Sequence, residues 1–156
     1  MKKAIWNSML DADMNARYWR DLVRRYSARD RNMKIFMAMM ASSTVAGWGL
    51  WEAIPWLWKS LSSVSAAVAI SLPILNYHKQ IGQMSDLAGK WGELRIEYED
   101  LWVKVRNSSD LKSVENAYKK FRKIESTLQE NESNLPEDKK LIDKCFIEVK
   151  KARGLA

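Results

Sequence analysis

The runs IFMAMMASSTVAGWGLW at residues 35–51 and SLSSVSAAVAISLPILNY at residues 60–77 decide how this chain is read. Neither holds a charged residue, and only Glu52 and Lys59 carry charge between them. A hydrocarbon core of about 30 Å takes about 17 to 25 mostly apolar residues per helix. Two such runs, one short bend apart, predict a helical hairpin through a bilayer over residues 35–77. Ser42, Ser43, Thr44, Ser62, Ser63, Ser65 and Ser71 keep both runs only moderately apolar. Trp48, Trp51, Trp56 and Trp58 gather at the bend around Pro55, as tryptophans do where a membrane meets water. A short outer loop leaves no outer domain, so partners are expected on the cytoplasmic side.

Outward from the hairpin the chain is strongly charged. Its mean hydropathy of -0.39 averages an uncharged centre with two charged flanks. Of the net +7, most lies before the first run: residues 1–34 hold 9 Lys and Arg against 4 Asp and Glu. Arg17, Arg20, Arg24, Arg25, Arg29, Arg31 and Lys34 lead up to Ile35, a bias that keeps a flank in the cytoplasm. With Lys79, Lys90 and Arg95 after the second run, both termini are expected to be cytoplasmic at a bacterial inner membrane. A cleavable signal peptide is not expected, because the first apolar run starts only at Ile35.

Residues 1–34 form one segment, with an amphipathic helix expected over 4–31. Trp19, Leu22, Val23 and Tyr26 share a stripe that Trp6, Met9 and Leu10 continue backward. Arg17, Tyr18, Trp19, Arg20, Arg24 and Arg25 lie in RYWRDLVRRYSARDR, which admits two readings. The plain one is a juxtamembrane helix resting on anionic lipid. The sharper one is a grip on a phosphorylated ligand, by arginine charge and aromatic stacking. No nucleic-acid polymer is expected as a partner.

Within the hairpin, small residues recur every fourth position: Ala38, Ser42 and Ala46 in the first run, Ser63, Ala67 and Ser71 in the second. Such faces let helix backbones approach closely. They either pack the two helices of one hairpin together, or meet other copies and line a pore. Pro73 is expected to bend the second helix by removing a backbone donor.

Residues 78–156 change pattern. Met84, Leu87, Trp91, Leu94, Tyr98, Leu101 and Val105 alternate spacings of three and four, the seam of a coiled coil. A seam this regular needs a partner helix, from the same chain or from another subunit in a homo-oligomer. Gly82, Gly89 and Gly92 weaken its early part or mark close packing. Asn107 to Asp110 break the helix. A second helix carries Leu111, Val114, Tyr118, Phe121 and Ile124 to Leu128, with Lys119, Lys120, Arg122 and Lys123 read as a solvated face near Glu115 and Glu125 in preference to a binding patch. After a turn at Asn131 to Pro136, a last helix runs from Glu137 to about Arg153. Its apolar edge is either Leu141, Cys145 and Val149 or Ile142, Phe146 and Val149, and Gly154 stops it.

The chemistry of sites is thin. His78 has no second ligand at metal spacing, and Cys145 is the single cysteine, so neither a metal nor an internal disulfide is expected. No phosphate loop, nucleophile elbow or paired-cysteine motif occurs. The chain is read as a non-enzyme without cofactor.

A basic amphipathic helix, two closely spaced spans and a helical tail ending in LPEDKKLIDKCFIEVKKARGL (135–155) resemble the SLATT group of bacterial two-transmembrane effectors. The resemblance implies a membrane effector of an antiviral defence system that oligomerises to permeabilise or depolarise the inner membrane, with pore formation set off by a trigger. That trigger would be a separate cytoplasmic sensor or a nucleotide second messenger. The full expectation is an all-α membrane protein: a two-helix transmembrane hairpin, an N-terminal amphipathic helix and a C-terminal cytoplasmic bundle or coiled coil. The alternative function is a non-enzymatic membrane scaffold or adaptor that recruits a partner through its helical tail. A helical bundle that buries the hairpin is a third possibility.

Overall fold

The computed structural model describes residues 1–46, 55–107 and 111–155, with the side chains at 43–46, 55, 57–58 and 72–75 left out. Among them every regular element is an α-helix: α1 Lys2–Ala46, α2 Pro55–Leu75, α3 Tyr77–Asn107, α4 Leu111–Glu132 and α5 Lys139–Ala152. The chain divides into two compact units, Met1–Val23 with Gly82–Ala156, and Arg24–Ile81.

Among the described residues, no helix is long and apolar enough to cross a membrane. This corrects the two-span membrane fold, the transmembrane and membrane character, and the inner-membrane location with cytoplasmic termini expected above. The physical reason lies in each run. The uncharged part of α1 reaches from Ile35 to Ala46, about 18 Å at 1.5 Å per residue, against a hydrocarbon core of about 30 Å. The rest of that run, with Trp48 and Trp51, lies outside the described residues, as does Glu52 after it. In α2, Lys59 stands near the start, and Ser60, Ser62, Ser63, Ser65 and Ser71 dilute the remainder of the helix.

The first unit is a four-helix bundle built on the heptad of α3. All seven seam residues, Met84 to Val105, are at most 3% exposed, so one chain buries its own seam. Burying each such side chain contributes roughly 1.5–3 kcal/mol. α1 lies antiparallel to α3: Trp6 meets Trp102 at 5.1 Å between ring centroids, and Asp13 comes within 4.0 Å of Arg95. Ile5, Met9, Ala12, Ala16, Trp19 and Leu22 face inward from α1. Leu10, Val23 and Tyr26, expected on that stripe, are only half-buried.

In α4, Val114, Phe121, Glu125 and Leu128 are buried, at spacings that continue to Glu132. For α5 the structure selects the edge Leu141, Cys145 and Val149, while Phe146 is 49% exposed. Asp138 caps α5 by accepting from the Leu141 N–H at 3.1 Å, two residues after Pro136. At the other end Gly154 takes φ +67, a left-handed turn that suits glycine, and the Leu155 N–H reaches the Lys150 carbonyl at 2.8 Å.

The second unit joins the later part of α1 to α2 and the start of α3. Tyr26 and Tyr77 meet edge-on at 5.7 Å, and Ser65 Oγ lies 3.8 Å from the Met37 sulfur. Between α2 and α3 a single residue, Asn76 at φ 42, turns the chain, a conformation that asparagine tolerates better than most side chains. Its carbonyl accepts from the Lys79 and Gln80 N–H groups and so starts α3.

Candidate functional site

Two buried carboxylates, Asp13 and Glu125, hold the first unit together. Asp13, 2% exposed, accepts from Arg17 Nε at 2.9 Å and pairs with Arg153 at 3.4 Å. Arg153, the cap residue of α5, also bonds Glu99 of α3, so one guanidinium ties three helices. Glu125, 3% exposed, accepts from the Tyr98 hydroxyl at 2.9 Å and from Arg122 Nη1 at 2.8 Å. Burial, and then the Glu125 charge, pushes the Tyr98 phenol well above its ordinary range.

Glu132 is arranged differently. Its Oε1 accepts from both the Trp19 and the Trp91 indole N–H, at 2.7 and 2.6 Å. Burial raises the Glu132 carboxyl above its ordinary value, and the two indole bonds oppose that rise. Glu132 also lines a cleft of about 290 Å³ beside the turn between α4 and α5, with Asn15, Tyr18, Trp19, Gln129 and Glu137 among its walls. The Tyr18 hydroxyl fixes the turn, donating to the Pro136 carbonyl at 3.4 Å and accepting from the Asp138 N–H at 3.0 Å. Although the chain holds 26 Lys and Arg, none of the described cleft residues is either.

A second concavity, of about 480 Å³, runs between α3 and α4. Leu94, Phe121, Ile124 and Leu128 form its apolar floor, and Glu93, Glu97 and Lys120 stand on its rim. The basic run nearby is a solvated face, as its spacing implies: Lys119 pairs with Glu115 at 2.6 Å and Arg122 with Glu125.

The residues singled out from sequence fall in different places. Tyr18 and Trp19 are buried and Arg17 is engaged by Asp13, so these three do not form an open stacking grip for a phosphorylated ligand. Arg20 is exposed, and Arg24 and Arg25 belong to the second unit. Ala38, Ser42, Ser63, Ala67 and Ser71 are all exposed; the side chain of Ala46 lies outside the described set. The small faces therefore do not pack α1 against α2. Each of these serines donates to its own helix backbone four residues earlier: Ser42 to Ala38 and Ser63 to Lys59 at 2.9 Å, Ser71 to Ala67 at 2.7 Å. Leu61, Ser65 and Val68 turn inward from α2 instead.

Cys145 is buried, and burial pushes its thiol up, away from nucleophilic character. His78 is exposed at the start of α3. Sequence reading missed Glu132 and its two indoles. The signal was present: Val114, Tyr118, Phe121, Glu125, Leu128 and Glu132 follow one seam, and buried indoles need acceptors. No family model, curated protein or solved structure matches this chain.

Proposed function

We propose that the chain is a non-enzymatic helical scaffold that assembles with copies of itself through its second unit and recruits a partner through its first. The observation that carries this reading is a pair of exposed apolar stripes. On α1, Ile35, Ala38, Met39 and Ser42 recur at i, i+3, i+4 and i+7; on α2, Ser63, Val64, Ala67, Ile70 and Ser71 share one face. Ile35, Met39, Val64 and Ile70 are 49–65% exposed. Large apolar side chains set among small ones on an exposed helix face mark an association surface, because the small residues let a second helix come close. Permeabilisation of a membrane is not part of this reading, because the two spans it was built on are not found among the described residues.

In the first unit the seam is already used inside one chain, which leaves outer surfaces for recruitment. The groove between α3 and α4 suits an amphipathic helix. Its apolar floor takes residues at helical spacing, while Lys90, Glu93 and Glu97 on the α3 wall and Lys120 on the α4 wall offer charges of both signs to the polar edges of a partner. The buried carboxylates Asp13 and Glu125 are occupied in holding the bundle, in keeping with a structural role.

Cysteine cross-linking of the full chain tests the assembly. Ala67→Cys, on the α2 stripe, is expected to form inter-chain disulfides under mild oxidation. Asn107→Cys, exposed in the first unit, is expected to stay monomeric on a denaturing gel. Equal cross-linking at both positions, or none at Ala67→Cys, would overturn the reading. Recovery of the chain only with phospholipid vesicles would overturn it as well.

A further inference from the structure

From the cleft beside the α4–α5 turn, we infer that the first unit binds an organic cation bearing N–H groups, an alkylammonium or a guanidinium. Three features of the site lead there. First, its charge is negative in a positive protein: Glu132 and Glu137 line it, and no described lining residue is Lys or Arg. Second, its polar walls include the side-chain amides of Asn15 and Gln129, whose oxygens accept hydrogen bonds from such a cation, as both carboxylates do. Third, the geometry around Glu132 is fixed before any ligand arrives. Trp19 and Trp91 both donate to Oε1, which holds the carboxylate in place and leaves Oε2 for an incoming donor. The Tyr18 hydroxyl, bonded at Pro136 and Asp138, sets the facing turn in the same way.

Size narrows the ligand further. About 290 Å³ is at the small end of ligand clefts, which run from roughly 300 to 1,000 Å³. A single amine or guanidine group with a short apolar stem fits such a space beside Ile142 and Leu135, whereas the charge of Glu132 and Glu137 disfavours an anionic nucleotide. Two sources carry this chemistry, a free small amine or the Lys or Arg side chain of a protein. The cleft is separate from the surfaces invoked for assembly and recruitment, so the inference stands or falls independently of them.

The test is an amide and indole NMR titration of the full chain with n-butylammonium, methylguanidinium and an acetylated Gly-Arg-Gly amide. Tetramethylammonium, which has no N–H, serves as the contrast. The Trp19 and Trp91 indole resonances are expected to move together and saturably with the first three and far less with the last. Tighter binding of the peptide assigns the site to a protein side chain, and tighter binding of a free amine assigns it to a small molecule. Glu132→Gln, which keeps an oxygen for the indoles, is expected to weaken binding about tenfold or more with the fold intact. Glu137→Gln, on the exposed rim, is expected to weaken it less. Indole resonances that do not respond to any of the three probes, or an affinity unchanged in both variants, would overturn the inference.

Discussion

A single carboxylate oxygen that receives two buried indole N–H groups sets up a sharp contrast between substitutions at Glu132. Trp91 is fully buried and Trp19 is 3% exposed, so neither indole finds water easily. Glu132→Ala removes their acceptor and is expected to destabilise the chain by about 1–3 kcal/mol, read as a lower urea midpoint. Glu132→Gln keeps an acceptor and removes a half-buried charge, so it is expected to cost far less. The pH dependence has a definite sign. Burial raises the Glu132 carboxyl above 4.5, so the folded chain holds that proton to a higher pH than the unfolded chain does. This contribution favours folding at low pH and is lost as pH rises from about 4.5 through the raised value. The stability of Glu132→Gln relative to the parent should therefore increase across that window. A difference that stays flat with pH would show that Glu132 does not titrate abnormally.

The same scale holds Asp13. It sits on α1, yet its partners come from three places: Arg17 on its own helix, Arg95 on α3 and Arg153 at the end of α5. Asp13→Ala is expected to destabilise by about 1–3 kcal/mol, less than the orphaning of fully buried charges, because the arginines reach water. Melting of the variant by circular dichroism gives the measurement.

At the scale of elements, the heptad of α3 was the most legible feature, because alternate spacings of three and four leave a helix only one apolar face. All seven residues of that seam are buried as their spacing implies. The first unit's other helices were legible in part. α5 offered two edges of similar apolarity, and the N-cap at Asp138 together with packing of Cys145 selects one. α1 was harder, since its inward face carries Ser8 and Asp13 among the apolar residues, and the burial of Asp13 follows from Arg95 and Arg153, which come from elsewhere in the chain. The glycines of α3 tell a related story. An added Cβ at Gly89 or Gly92 meets nothing within 4 Å, so neither glycine is there for close packing. Gly89→Ala and Gly92→Ala are each expected to stabilise the chain by about 0.5–1 kcal/mol, through lower backbone entropy when unfolded. A lower melting temperature for either would point to a contact that the helix alone does not explain.

At the scale of the whole molecule, the absence of charge over residues 35–51 and 60–77 is the feature that sequence made most visible and that led furthest from the described fold. Lack of charge and apolarity sufficient for a span are separate properties, and serines at every few positions of α2 divide them. What remains is a two-unit chain in which one unit satisfies its own seam and the other leaves apolar stripes exposed on α1 and α2. Self-assembly through those stripes is the central claim. Multi-angle light scattering on the purified full chain tests it most directly, with Met39→Glu and Ile70→Glu as charged replacements at exposed positions. The account predicts a defined oligomer whose mass falls in both variants while helicity is unchanged. A parent chain that runs as a monomer, or an oligomer that both variants leave intact, would contradict it.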